Sequence, residues 1–472
     1  MDRQEMKTLM TFNELAASLD AALIPGGEEG FMSVSIDSRE VGPGALFVAL
    51  TGAVQDGHSY IEAALKAGAA GIMAARSRLE SFNIENLVRN FNKALVIVEN
   101  TLYGLQNAAK AYLKKFPRLL KIAITGSSGK TTTKEIATAI AGQERKVVMN
   151  SGNLNSETGL PLSVFNVREE HEVGIFEAGM NRRGEIAELA AVLNPDIALI
   201  TNIGSAHIGI LGSKSNIAEE KKAIFSQFSG SQKALIPAED GYSGFLSGGV
   251  NGKIVFYGRD SFPGLETRDL GIEGAVINYE GKSVNFPLPG AFNLKNALAA
   301  IALAAQIPVG ADGIRRGLES VRPLFGRGEI LRGDVTVIRD CYNSNPESLE
   351  LTLDYCDSLD WPGRRVYVIG SMLELGDLSV KAHNAMGQRL AVSGTGMIFL
   401  YGRECEEAVR VLSVSKKNGI DFNWTIDMDE LKHSVKCFVR PGDLVLLKGS
   451  RGCALEQLTP VLTGTDISKG GA

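Results

Sequence analysis

The stretch Thr125-Gly126-Ser127-Ser128-Gly129-Lys130-Thr131-Thr132 assembles the residue types that hold a nucleoside triphosphate. Two glycines let backbone N–H groups curl around phosphate oxygens, and the start of a following helix adds favourable partial charge. Lys130 neutralises the β and γ oxygens, and the Thr131 hydroxyl suits Mg²⁺. The usual phosphate loop has a further glycine five residues before Gly129, where Ile124 stands, so this is a shorter Thr-Gly-x-x-Gly-Lys-Thr form. Two later runs end in groups suited to a metal. Val-Gly-Ile-Phe leads into Glu177, and the apolar run before Asn202 continues through Gly204 and Ser205 to His207. A helical stretch at 217–225 carries Lys221 and Lys222, which composition alone reads as a solvated face.

These groups need a scaffold that brings them together. Apolar runs at 119–125, 196–201, 365–369 and 444–448 alternate with helix-period segments, which predicts an α/β fold. In such sheets ligands bind at the carboxyl ends of the strands, so Glu177 and His207 are expected to converge on the phosphate loop. The run 335–339 reads as a strand ending in Asp340, with Asn345-Pro346 as N-cap and first residue of the next helix. A helix at 102–115 ends at Phe116-Pro117, and Arg322-Pro323 through Gly328 interrupts the chain again, so domains are expected at 1–115, 116–328 and 329–472. The length, 472 residues, agrees with about three domains.

Composition narrows the function. With 49 basic and 54 acidic residues the formal net charge is -5, which removes the generic electrostatic case for binding nucleic acid or an anionic membrane. The most apolar stretch, 297–305, is too short to span a bilayer and reads as a buried helix. The N-terminal residues offer no signal-peptide core, so a cytoplasmic location is expected. The 5 cysteines form no Cys-x-x-Cys pair and read as packing residues of a reduced protein; the Gly-tipped tail 469–472 reads as loose. A GTPase-like switch or nucleotide-binding scaffold is the competing class. The chain has no Asn-Lys-x-Asp guanine-reading motif, and a scaffold has no use for Glu177, His207 and Lys221 together.

The phosphate loop, Asn153-Leu-Asn-Ser-Glu-Thr-Gly159-Leu-Pro161, Glu177-Ala-Gly-Met-Asn181, Asn202-Ile-Gly-Ser-Ala-His207 and Asn293-Leu-Lys-Asn296-Ala-Leu-Ala299, in that order, resemble the Mur ligases of peptidoglycan synthesis. The front segment, with Ile36-Asp-Ser38-Arg39 and Asp56-Gly57-His58, is similar to that family's uridine-nucleotide-binding domain. The rear segment, with Asp340-Cys-Tyr-Asn343-Ser-Asn-Pro346, Gly370-Ser-Met-Leu-Glu374-Leu-Gly376 and Lys448-Gly-Ser-Arg451, is similar to its third domain. Several of these stretches most resemble the members that add D-alanyl-D-alanine to UDP-N-acetylmuramoyl-tripeptide. Relatives adding another amino acid, folylpolyglutamate-type ligases included, are the neighbouring alternatives. A departure is Phe292, where many relatives carry His.

The resemblance implies an α/β fold of three domains: an N-terminal uridine-nucleotide-binding domain, a central ATPase-type parallel-sheet domain and a C-terminal Rossmann-like domain. It implies an ADP-forming amide ligase using ATP and two Mg²⁺ ions. Lys130, His207 and Lys221 are the implied catalytic residues, and Thr131, Glu177, His207 and Lys221 the implied metal set. Lys221 serves there as the carbamate formed with CO₂, and Lys222 as a bystander; only a neutral amine attacks CO₂, and burial favours that form. Residues Gly126 to Thr132, Asn293, Asn296, Arg327 and Asp340 are implied to hold ATP, the last two on domain closure. Ser38, Arg39, Asp56, Gly57 and His58 are implied for the uridine end, Asn153, Ser156 and Thr158 for the peptide, and Glu374, Lys448 and Arg451 for the dipeptide.

Overall fold

The computed structural model describes residues 7–52, 54–262, 265–415 and 420–464; the tail 469–472 lies outside them. The expected strands form as Leu120–Thr125, Ile197–Ile200, Arg365–Gly370 and Leu444–Lys448, and the expected helix at 102–115 forms as Thr101–Leu113. Of the apolar stretch at 297–305, residues 297–304 fall in helix Ala291–Ala304 and are buried, and Ala305 caps it, exposed. Among the described residues no helix is long and apolar enough to cross a membrane. The chain forms two compact units. One comprises Met1–Ala123, Arg145–Ala198 and Ala223–Lys233, the other Ile124–Glu144, Leu199–Lys222 and Ala234–Ala472.

In the first unit a five-stranded sheet runs in the order Ala22–Ile24, Ala94–Val98, Gly71–Ala75, Ala45–Val48, Ser33–Ser35. Only the first pairing is antiparallel. The three middle strands are buried along their whole length, as continuous apolar runs covered by helices on both faces must be. Val173–Glu177 pairs in parallel with Val147–Met149. These two belong to a six-stranded sheet in which Leu120–Thr125 follows Val173–Glu177 and Ile197–Ile200 comes next.

The second unit contains a six-stranded sheet ordered Glu329–Leu331, Thr336–Asp340, Leu444–Lys448, Arg365–Gly370, Met397–Tyr401, Asp421–Thr425. It is parallel except at the first pairing. The last of these strands in the chain, Leu444–Lys448, is inserted in the middle, so Asp340 lies in register with Lys448, and Lys448 with Ile369. A sheet that reverses its order in this way opens its crevice at those carboxyl ends. Asn345 and Ser348 exchange the reciprocal bonds of a capping box with Pro346 at the first helical position, as the sequence predicts. The four buried cysteines stand as packing residues; burial pushes the Cys341 and Cys405 thiols up to about 12, so they stay protonated and inert.

Candidate active site

The phosphate loop is built by long-range bonds as much as by its own residues. Gly126 and Gly129 take positive φ of 153° and 75°, and a Cβ at either would collide, with Thr201 Oγ1 and Asn296 Oδ1 respectively. The segment after Ile197–Ile200 grips the loop. Thr201 Oγ1 donates to the Ser128 carbonyl at 2.6 Å, Asn202 Nδ2 to the same carbonyl at 3.1 Å, and the Ser128 N–H to Asn202 Oδ1 at 3.1 Å. The Ser127 N–H donates to the Asn202 carbonyl at 3.0 Å, and Ser127 Oγ accepts the Gly204 N–H at 2.8 Å. The Ser127 and Ser128 N–H groups, expected to cradle phosphate, are therefore occupied within the protein. Asn202 is the residue that orders the loop, and sequence reasoning placed it only inside a motif. Lys130 opens helix Lys130–Ala141 and its Nζ donates to the Gly126 carbonyl at 2.8 Å, folded back over the loop.

Asn296 reaches this loop from helix Ala291–Ala304, with Asn293 one turn before it on the same helix. Asn293 Nδ2 donates to the Pro289 carbonyl at 2.8 Å, and Asn296 Oδ1 lies 3.5 Å from Thr133 Oγ1. Phe292 packs edge-on against Tyr355 at 6.2 Å between ring centroids.

Glu177, in the first unit, is 1% exposed. Asn155 Nδ2 donates to its Oε1 at 2.7 Å, and Asn150 bonds both its backbone N–H and its carbonyl. Asn155 holds the carboxylate and Asn150 the backbone of Glu177, whereas sequence reasoning named Asn153, Ser156 and Thr158 of the same loop, for the peptide. Of those, Asn153 is exposed, and Ser156 lies 3.3 Å from Thr158 and caps the Gly159 N–H.

His207 has φ of 62° and faces Glu374, whose φ is 65°; Nδ1 lies 3.1 Å from Oε2, an ion-pair distance without hydrogen-bond alignment. Contact with His207 holds the Glu374 carboxyl below the usual range against the opposing effect of burial. The residue expected at the metal and the one expected at the dipeptide thus meet each other. Lys221 is 1% exposed, so the solvated-face reading from composition is corrected for it. Lys222 is half-buried; it donates to the carbonyls of Phe245 and Gly248 and lies 4.6 Å from the Phe245 ring centroid.

Several residues expected at the substrates are engaged within the protein. Lys448 is 2% exposed and bonds Asp340 Oδ2 and the Asn343 carbonyl, each at 2.9 Å, so its ammonium is taken before any dipeptide arrives. Removing it would leave the Asp340 carboxylate without its cation in a mostly buried site, keeping the 2.8 Å bond from the Thr352 hydroxyl, at a cost of about 3–5 kcal/mol. His58 is buried, with Nδ1 at 2.6 Å from Asp56 and Nε2 accepting the Ala75 N–H at 3.0 Å, so neither ring nitrogen faces a uridine. Arg451, exposed, pairs with Glu456 at 2.8 Å. Arg39 keeps an exposed guanidinium on Asp37, whose carboxyl its hydrogen bonds lower to about 2, and Gly57 donates to the Leu50 carbonyl where a Cβ would not fit. Arg327 stacks over Tyr342 at 3.9 Å to the centroid.

His383, which the sequence left without a role, orders the loop that carries Glu374: its Nε2 accepts the Met372 N–H at 3.0 Å, and Nδ1 lies 2.8 Å from the Ser379 carbonyl. Burial lowers its pKa below 6.5. The unfolded chain therefore takes up a proton below pH 6.5 that the folded chain excludes, so stability is lost as pH falls through that range. The melting temperature should drop between pH 7.5 and 5.5, by less in His383→Gln; equal drops would remove His383 as the cause.

The same order of parts recurs in known proteins. Residues 31–112 match the family model described as Mur ligase family, catalytic domain, residues 124–304 the Mur ligase middle domain, and residues 326–451 the Mur ligase, glutamate ligase domain. The chain is 44% identical over 458 residues, 96% of its length and 99% of the relative's, to a UDP-N-acetylmuramoyl-tripeptide--D-alanyl-D-alanine ligase of Treponema pallidum. A Bacillus subtilis protein of the same name is 33% identical, covering 92% of this chain and 94% of its own. Among solved structures, MurF of Acinetobacter baumannii aligns with TM-score 0.84 and 25% identity over 98% of this chain and all of the other. MurF ligase of Thermotoga maritima, in complex with ADP, aligns with TM-score 0.77 and 27% identity over 91% of this chain and 96% of its own. A phosphate loop closed by Asn202 and Asn296, within three family segments in unbroken order and a likeness running nearly end to end, leaves one assignment: the chain belongs to the Mur ligase family.

Proposed function

We propose that this chain joins D-alanyl-D-alanine to UDP-N-acetylmuramoyl-tripeptide at the expense of ATP, in the cytoplasmic synthesis of peptidoglycan precursors. The observation that carries this reading is the 44% identity spanning 96% of the chain and 99% of a relative of that name. A carboxylate is a poor electrophile, and ATP remedies this. The tripeptide carboxylate attacks the γ-phosphorus, forming an acyl phosphate and releasing ADP. The dipeptide amine then attacks the acyl carbon, and phosphate leaves with the C–O bonding pair.

In this reading Lys130 unfolds from the Gly126 carbonyl to offset charge on the transferring phosphoryl group. Asn293, Asn296, Arg327 and Asp340 hold the nucleotide. Ser38, Arg39, Asp56 and Gly57 hold the uridine end, with His58 as the buttress of that turn. Arg451 exchanges Glu456 for the dipeptide carboxylate, to which a guanidinium offers two parallel bonds.

The residues present fit Mg²⁺. Glu177 and Thr131 supply hard oxygen donors, and the His207 Nδ1 is buried without a hydrogen-bond partner. Mg²⁺ keeps water and phosphate oxygens among its ligands, so one or two protein oxygens per ion suffice. When bound, Mg²⁺ neutralises charge on the phosphates. Thr131 and Glu177 are the residues for one ion, and His207 with carbamylated Lys221 for a second.

Purified protein should release phosphate from MgATP only with UDP-N-acetylmuramoyl-tripeptide and D-alanyl-D-alanine both present. Release with a UDP-N-acetylmuramoyl-dipeptide acceptor, or with a free diamino acid as nucleophile, would move the chain to the neighbouring step. Acceptors differing in the third residue, run in parallel, identify the native tripeptide.

A further inference from the structure

One carboxylate near the phosphate loop has no part in the site so far. Glu347, in the first turn of helix Pro346–Ser358, does not stay with its own helix. Its Oε1 accepts the Ser205 hydroxyl at 2.6 Å and its Oε2 the Ser205 N–H at 3.1 Å, while Lys214 Nζ lies 2.7 Å from Oε1. Burial pushes the Glu347 carboxyl up, and these bonds outweigh it, so its pKa lies below the ordinary range. Ser205 is buried and follows Gly204, whose N–H donates to Ser127 Oγ and whose carbonyl accepts from it at 3.2 Å. Space at that joint is tight: a Cβ on Gly204 would lie 3.3 Å from Ser127 Cβ and 3.4 Å from Glu347 Oε2. The same segment is held further along, where the Gly209 N–H donates to the Glu374 carbonyl at 3.1 Å.

We propose that Glu347 is a positioning residue for phosphoryl transfer, acting through Ser205 and Gly204 on Ser127 of the phosphate loop. Resting on the ligase reading above, the inference adds a physical link. Residues of the carboxyl-terminal third, far along the chain, set the geometry of the nucleotide loop when helix Pro346–Ser358 is seated on Ser205. Two hydrogen bonds from one residue to one carboxylate fix both the position and the orientation of Ser205, and Lys214 keeps that carboxylate ionised and in place. An acidic residue serving only its own helix dipole would need neither contact.

The test is a double-mutant cycle between Glu347→Ala and Ser127→Ala, with phosphate release and ADP affinity as separate readouts and Glu347→Gln as the conservative variant. Glu347→Ala should lower kcat about 10-fold or more while the KM for D-alanyl-D-alanine moves less than about 2-fold, since small displacements of reacting groups cost rate before they cost remote binding. Glu347→Gln, keeping one acceptor, should fall between. The double variant should lose no more than the worse single one, because the two residues act through one network. ADP affinity should fall in both single variants and again fail to add. Additive losses, an unchanged kcat in Glu347→Ala, or a matching rise in the dipeptide KM would overturn the proposal. Should Glu347→Ala not fold, the cycle run with Glu347→Gln decides by the same comparison of single and double losses. Wild-type protein that releases no phosphate would refute the ligase reading, and the ADP arm would still decide this one.

Discussion

Lys130→Ala should lose ligation by about 10²–10³-fold or more, the scale on which a single transition-state charge partner acts. The side chain is half-buried, at the start of helix Lys130–Ala141, and its Nζ donates to the Gly126 carbonyl at 2.8 Å. Removing it deletes little core volume, so the melting temperature should stay close to wild type. The loss should sit in kcat, because the loop backbone remains held by Thr201 and Asn202. Single-turnover formation of acyl phosphate, trapped chemically, is the direct measurement. A folded Lys130→Ala protein with near-normal MgATP-dependent ligation would refute the assignment of this loop to phosphoryl transfer.

Lys221→Ala should be almost inactive, and Lys222→Ala should remain active. The two neighbours differ in their surroundings: Lys221 is buried near the end of helix Lys214–Lys222, whereas Lys222 bonds the carbonyls of Phe245 and Gly248. If Lys221 works as its carbamate, a small added carboxylate should restore part of the activity. A carbon-13 carbamate resonance from labelled bicarbonate should appear in wild type and Lys222→Ala and vanish in Lys221→Ala. Equal losses in the two variants, or an unaltered resonance in Lys221→Ala, would contradict the assignment. Lys222→Ala is expected to show its effect as a lowered melting temperature, since it strips two carbonyls of their donor.

By itself the sequence determined whatever depends on neighbours along the chain. Apolar runs set the buried strands within a residue or two, because a strand covered on both faces must be apolar throughout. Asn345-Pro346 set a helix start through a capping box that spans four residues, and Gly126 and Gly129 marked backbone conformations closed to other residues. Tertiary structure alone decided which polar groups are already engaged. Lys448 looked like a cation for a dipeptide until the last strand, inserted mid-sheet, put it in register with Asp340. His58 resembled a ligand-facing histidine until Asp56 and Ala75 took both ring nitrogens. Asn202, Asn155 and His383 act through bonds to residues 74, 22 and 11 positions away, and Glu347 reaches Ser205 across 142. A buried polar group must find a partner or bear its desolvation cost, and the folded chain, not the local spacing, selects that partner.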